Sequence, residues 1–439
     1  MKVRFPHHKK EVTLELPERL VEKVYRSKPA KPLTDREIKK GFASPIASPL
    51  LRKIAAGKKN AVIVVSDITR YIPYQAFLPI LLEELIEGGI KPKQISFLIA
   101  TGCHRPASQT EVEQILGKEI AKKFRILNHN AFEKSDLAYL GKTRKKTPVF
   151  VNKLYLKADL RVLTGLIEPH LIAGFSGGRK SICPGISGYE TIKITHSPEF
   201  LESKNARNGN LRHNPFHSEI TEVAERAGVD FIVNLVLNRE KKAVGFFCGN
   251  YKKAFLEGCR LCQKITIDSY SRKHDLVITA SGGYPLDLTF YQTSKGMVTA
   301  GEVVKKGGKV LVISGMEEGL GSQDFESLIK IFPGPEEFLK KFSKPENFTL
   351  DQWQIEGLLK VTEKATVYLY SKNRVPPLVE RLGLKIVPDI TAFLKGLIRK
   401  KLSIGLIPEG PFVLPQTSSK STLTSTLSPQ RERVRVRGH

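Results

Sequence analysis

Short apolar runs alternate along this chain with longer stretches whose apolar positions recur at helical spacing. Ala61 to Ser66 reads A-V-I-V-V-S, a β-branched run typical of a strand buried on both faces of a parallel sheet. Phe77 to Glu87 follows with helical spacing, closed by Gly88-Gly89. Ile95 to Ala100 predicts a second buried strand, and Ser108 to Phe124 a helical stretch with Glu111 near its start. Leu160 to Leu166 and Phe231 to Leu237 continue the alternation. A second unit of the same kind begins near residue 274. Its strands are predicted at His274 to Thr279, Lys309 to Ser314 and Ala365 to Tyr370, and its helices at Leu288 to Ala300 and Ile390 to Arg399. Such alternation predicts an α/β fold of two α/β domains with largely parallel sheets. The expected division is 1–268 for the first domain, beginning with a small β-containing lead-in and a polar, basic helical region, and 269–414 for the second. Residues 415–439, rich in Ser, Thr and Arg, form a basic tail with too little apolar surface to fold and are expected to be disordered.

Composition narrows the class. The chain has 439 residues, 41% hydrophobic and 26% charged, ordinary for a globular protein with room for two or three cores. No apolar run is long enough to cross a membrane, and no apolar segment follows the basic N-terminus, so neither a membrane span nor a signal peptide is expected and the localisation is cytoplasmic. The five cysteines are odd in number and suggest no disulfide framework. Cys259 and Cys262 have metal-ligand spacing, but without a second such pair a buried structural role is preferred. The net charge of +27 raises the question of polyanions. Its lysines are scattered in short groups, without a nucleic-acid-binding motif, so small anionic substrates or a Lys-rich surface account for it as well.

The chemistry-bearing residues follow the strands. Asp67, Ile68, Thr69 and Arg70 come after the first, His104 after the second, and His170, Lys180 and His196 in the stretch after the third. In an open parallel sheet the carboxyl ends of the strands share one edge, so these groups can converge on one cleft. Gly174, Gly177 and Gly178 form a turn where backbone N–H groups can approach a ligand. The G-G-R-K segment at 177–180 is not a phosphate-binding P-loop, because Arg179 stands where that motif needs glycine. On the predicted helix of the second unit, Tyr291, Gln292 and Lys295 share one face. Taken singly, each has a plainer role: a solvated turn lysine, a satisfied structural histidine, an N-cap or surface ion pair, a solvated helix face. Trp353, the only tryptophan, is expected in the core rather than in a pocket wall.

Five segments in order, S-D-I-T-R at 66–70, T-G-C-H-R at 101–105, E-P-H-L-I-A-G-F-S-G-G-R-K at 168–180, His196 and Y-Q-T-S-K at 291–295, resemble the nickel-pincer lactate racemase family. The likeness runs from about Ser66 to Pro415. It implies two α/β domains with the active site in the cleft between them. It also implies a cofactor, Ni(II)-pyridinium-3,5-bisthiocarboxylic acid mononucleotide, covalently attached at Lys180, with His196 as the protein's nickel ligand and Asp67, Ile68, Thr69 and Arg70 around it. His104 and His170 are implied as acid and base, and Gln292, Lys295 and Tyr291 as substrate contacts. The implied reaction is racemisation or epimerisation at C2 of a 2-hydroxy acid by proton-coupled hydride transfer through a 2-keto acid. The implied partners are that small substrate and the enzymes that make the pincer cofactor. Two other readings stand beside it: a dehydratase or oxidoreductase acting on hydroxy acids with the same scaffold, and a basic nucleotide- or nucleic-acid-binding protein.

Overall fold

The computed structural model of the protein describes residues 1–398 and 402–418. Two six-stranded sheets organise it. In the first, the spatial order is Ala243–Gly249, Phe231–Leu237, Leu160–Leu166, Ala61–Ser66, Ile95–Ala100 and Arg125–Asn128. All neighbours are parallel except the antiparallel edge strand Ala243–Gly249. Val62, Ile63, Val64 and Val65 are all completely buried, pointing alternately into cores on either face of the sheet, which is why this strand carries no polar position until Ser66.

The second sheet is wholly parallel, in the order Lys385–Ile386, Thr366–Tyr370, Val304–Ile313, His274–Ala280, Ile404–Ile407 and Val21–Val24. Its last strand comes from the lead-in of the chain. The hairpin Lys2–His7 and Lys10–Glu15 packs Val3, Phe5, Val12 and Leu14 with Leu276, Ile278 and Leu311 of this sheet. Val21–Val24 is therefore a strand of the second sheet, and the hairpin is a separate two-stranded sheet packed against it. Periodicity could not show this, because it reports which face of a strand is apolar and not which sheet it joins.

Other differences have local causes. The stretch Ser108 to Phe124 is two helices, Gln109–Leu116 and Lys118–Lys123, divided at Gly117 with φ of +87°. Ser108 and Glu111 form the capping box at its start. The helix expected from Leu288 runs Phe290–Val303. The helix from Ile390 is described to Ile398, and Arg399 lies outside the described residues. The tail does not lose structure at Pro415: Leu414–Thr417 pairs in parallel with Ile267–Tyr270, anchored by buried Val413 and Leu414. Residues 419–439 of that tail lie outside the described residues. Cys259 and Cys262 are free, buried thiols on one face of the helix Tyr251–Thr266.

The first sheet reverses direction between Ala61–Ser66 and Leu160–Leu166, since Ile95–Ala100 and Arg125–Asn128 lie on one side and the later strands on the other. The crevice at the carboxyl ends of strands flanking such a reversal is where open α/β sheets bind ligands.

Candidate active site

Asp67 leaves the end of the first strand and is nearly fully buried. Its Oδ1 accepts from the Thr69 hydroxyl at 2.6 Å and from the Thr69 N–H at 3.2 Å, and its Oδ2 lies 2.6 Å from His104 Nδ1. Burial pushes the carboxyl pKa up, but the His104 ring and the hydrogen bonds from His104 and Thr69 outweigh it and hold the group below its ordinary value. An ionised carboxylate only accepts, so His104 Nδ1 carries a hydrogen and Nε2 is left for chemistry. Arg70 pairs with Glu168, Nε to Oε1 3.4 Å.

His104 hangs from a tight turn after Ile95–Ala100. The Gly102 N–H donates to the Gly185 carbonyl at 2.9 Å, and Gly102 has φ of +56°. A Cβ there would touch the Pro184 carbonyl oxygen at 3.4 Å, so this turn rests directly on the loop that follows Lys180.

That loop is held from beneath. Gly177 and Gly178 have φ of +75° and +57°. Asn234 Oδ1 accepts from the Gly178 N–H at 3.0 Å, and a Cβ on Gly177 would meet the same oxygen at 2.5 Å. Arg179 is 2% exposed, stacks on Phe255 at 4.3 Å and donates to the Ala173 carbonyl at 2.8 Å. The residue that breaks the P-loop pattern is thus a clamp in the core. Lys180 lies in the cavity wall, its Nζ 5.6 Å from the Phe216 ring centroid. Withdrawal of the amine from bulk water, then Arg70 and Arg179, lowers its pKa to about 7.

His170 stands in a two-residue strand facing Gly174–Phe175. Its Nδ1 accepts from the Ala173 and Ile172 N–H groups at 3.2 and 3.3 Å. Burial, then Lys180, Lys295, Arg70 and Arg179, drives its pKa well down. His196 caps the helix Tyr189–Thr195, with Nδ1 3.0 Å from the Ile192 carbonyl oxygen. A carbonyl oxygen is purely an acceptor, so Nδ1 bears the hydrogen and Nε2 keeps its lone pair. Burial and Lys180 depress the His196 pKa to about 3, so the ring is neutral.

The second unit closes the cavity from above. Tyr291, Gln292 and Lys295 project from the helix Phe290–Val303. Gln292 Oε1 is buried and has no hydrogen-bond partner. Burial, then Arg70, lowers the Lys295 pKa. Trp353 belongs to the buried core and also walls the cavity. Its indole N–H donates to Tyr291 Oη at 3.1 Å, and its ring lies 4.7 Å from that of His196. The expectation of a core position was incomplete.

One cavity is lined by Asp67, Thr69, Arg70, His104, His170, Lys180, His196, Tyr291, Gln292 and Lys295. Ile68 is the exception. Its half-buried side chain packs against the apolar core beside the crevice. Asp351 and Gln354, which no sequence motif marks, also line the cavity. Asp351 has φ of +70° at the start of the helix Gln352–Thr362 and accepts from the Ser322 hydroxyl. A T-L-D-Q-W-Q segment carries no signal for this. Glu168, the partner of Arg70, lies in the E-P-H segment, where sequence alone assigns it no role. Among the described residues no three His, Cys, Asp or Glu side chains converge as a metal site.

Family models for the lactate racemase N-terminal domain and the lactate racemase C-terminal domain match residues 7–209 and 270–414. The chain belongs to the lactate racemase family, and it is an isomerase of the racemase type. It is 33% identical to the lactate racemase of Thermoanaerobacterium thermosaccharolyticum over 422 residues, 94% of this chain and 98% of that one. It is also 33% identical to the lactate racemase of Lactiplantibacillus plantarum over 389 residues, 86% of this chain and 90% of the other. The solved lactate racemase apoprotein from T. thermosaccharolyticum superposes with a TM-score of 0.88 at 31% identity, covering 95% of this chain and 100% of its own. A Thermotoga maritima protein with a TM-score of 0.70 and 20% identity, covering 89% of this chain and 100% of its own, shares the fold.

Proposed function

We propose that this racemase inverts the C2 centre of a small 2-hydroxy acid, lactate or a close relative, with a nickel-pincer nucleotide attached at Lys180. The observation that carries the reading is the meeting in one cavity of two imidazoles, His104 and His170, with a weakly basic amine at Lys180 and a neutral, buried imidazole at His196.

The residues fit such a cofactor. A lysine whose pKa is about 7 is largely free amine above neutrality, the form needed to bond to a thio-acid arm. His196 offers Nε2 as one ligand. No protein cluster supplies the others among the described residues, so they would come from the cofactor, whose sulfur arms suit nickel. The orphaned Gln292 Oε1 awaits a donor. When bound, the cofactor supplies a hydride acceptor, so the C2 hydrogen need not leave as a proton.

The chain's own groups do the rest. Arg70, Lys295 and Gln292 line the cavity and supply the donors that a substrate carboxylate needs. His104 takes the hydroxyl proton on Nε2, and Asp67, 2.6 Å from Nδ1, stabilises the resulting imidazolium. Trp353 and the second-unit helix exclude water from His196. Cofactor loading depends on the enzymes that make the pincer and belongs to the cytoplasm. The test is the intact mass and nickel content of protein isolated from a host able to make the cofactor. A mass increment lost in Lys180→Ala, with near-stoichiometric nickel lost in His196→Ala, supports the reading; an unmodified, nickel-free protein sinks it.

A further inference from the structure

The two cavity histidines are held by opposite kinds of partner. His104 Nδ1 faces a carboxylate oxygen at 2.6 Å. His170 Nδ1 faces two backbone N–H groups, those of Ile172 and Ala173, at 3.3 and 3.2 Å. A backbone N–H can only donate, so His170 Nδ1 must be the unprotonated nitrogen. A neutral imidazole has one hydrogen, which then sits on His170 Nε2. For His104 the same reasoning runs the other way, and a neutral ring carries its hydrogen on Nδ1 with a lone pair on Nε2.

We infer that the two histidines are not interchangeable at rest, and that the amides of Ile172 and Ala173 are the positioning groups that make them differ. His104 presents a lone pair to the cavity and is ready to accept a hydroxyl proton. His170 presents an N–H and is ready to donate a hydrogen bond to a substrate oxygen. It cannot accept a proton on Nε2 without first moving its hydrogen to Nδ1, which breaks both amide contacts. Adding a second proton to make the imidazolium breaks the same contacts, and it does so beside Lys180, Lys295, Arg70 and Arg179.

The loop is built to hold this state. The short strands Pro169–His170 and Gly174–Phe175 pair across it, so Leu171 to Ala173 is a three-residue turn whose Ile172 and Ala173 N–H groups point back at the ring. Gly174 has φ of +76°, and a Cβ there would lie 2.3 Å from the Asn210 carbonyl oxygen. Arg179 holds the Ala173 carbonyl from the core side at 2.8 Å. Asn214 donates to the Ile172 carbonyl at 2.8 Å. Both peptide units that follow the donating N–H groups are thus anchored through their carbonyls. In terms of the proposed reaction, on which this inference rests, the enantiomer whose hydroxyl faces His104 meets a ready acceptor. The other enantiomer must wait for the Leu171–Ala173 turn to release the ring.

The experiment reads ring nitrogens directly. The cofactor-free full-length chain is labelled with 15N-histidine, and long-range proton–nitrogen correlation spectra are recorded at pH 7.5. Spectra of His104→Gln and His170→Gln assign the two rings by the signals they remove. The expected result is a pyrrole-type Nδ1 for His104, and for His170 a pyridine-type Nδ1 with a pyrrole-type Nε2. The same tautomer in both rings, or an averaged pair of nitrogens for His170, overturns the inference. This outcome does not depend on racemase activity, so it can fail while the proposed function stands.

Discussion

The indole of Trp353, from the second unit, lies 4.7 Å from the imidazole of His196, from the first, and donates its N–H to Tyr291. A single side chain thereby joins the helix of the second unit to the proposed metal-binding histidine. It also stacks on Phe348, centroid to centroid 6.1 Å. Trp353→Ala removes this wall and is expected to cost about 3 kcal/mol or more of stability, as large-to-small core changes do, and to lower nickel retention. Trp353→Phe keeps a ring over His196 and is expected to retain most of the nickel. Urea denaturation and metal analysis of both variants check this.

Asp67→Asn leaves the size of the side chain unchanged but removes the carboxylate that fixes the His104 hydrogen on Nδ1. The expected loss in kcat is roughly 10²- to 10⁴-fold, the range of general acid–base catalysis, with little change in nickel content. Steady-state racemisation of lactate by loaded enzyme tests it. A variant that keeps its kcat but loses nickel would return Asp67 to the role of cofactor contact.

The lowered pKa of Lys180, about 7, has a definite sign. The free amine is favoured, so its fraction rises through pH 7 and is nearly complete by pH 8. Exposed lysines reach that point about three units higher. Competitive labelling of the cofactor-free protein with acetic anhydride, read peptide by peptide, is expected to give Lys180 an inflection near pH 7. An inflection near 10 contradicts the environment described.

Acid stability follows from the buried neutral histidines. The pKa of His196 is depressed to about 3 and that of His129 to about 4, and those of His170 and His217 are also lowered, burial being the leading cause in each. Between the ordinary histidine value and these lower ones, the unfolded chain binds more protons than the folded one. Stability therefore falls as pH drops from about 6.5 towards 4, by up to ~1.4 kcal/mol per pH unit for each group. Denaturant titrations from pH 6.5 to 4.5 are expected to show a slope above ~2.7 kcal/mol per unit, more than two protons. A slope of one proton or less contradicts this.

Much of the fold was legible because its central strands are buried on both faces and so read as unbroken apolar runs, as in Ala61 to Ser66. The placement of His104, His170, Lys180 and His196 around one cavity also follows from strand ends sharing an edge. What was not legible depended on contacts distant in sequence. Val21–Val24 reads as a strand but does not name its partner, Ile404–Ile407. Ile68, inside a motif, sits in the turn after the strand with its half-buried side chain against the apolar core. Asp351 and Trp353 reach the cavity only because the second unit packs over the first. The pairing of His170 Nδ1 with backbone amides is invisible to a sequence, since any residue at 172 or 173 other than proline supplies the same N–H.

Enantiopure lactate carrying deuterium at C2, incubated in ordinary water with enzyme from a host that makes the pincer cofactor, separates hydride transfer from proton exchange. Optical purity is expected to be lost while the deuterium stays at C2 in both enantiomers, with no racemisation by Lys180→Ala. Racemisation with loss of the label to water, or none by nickel-loaded enzyme, would contradict it.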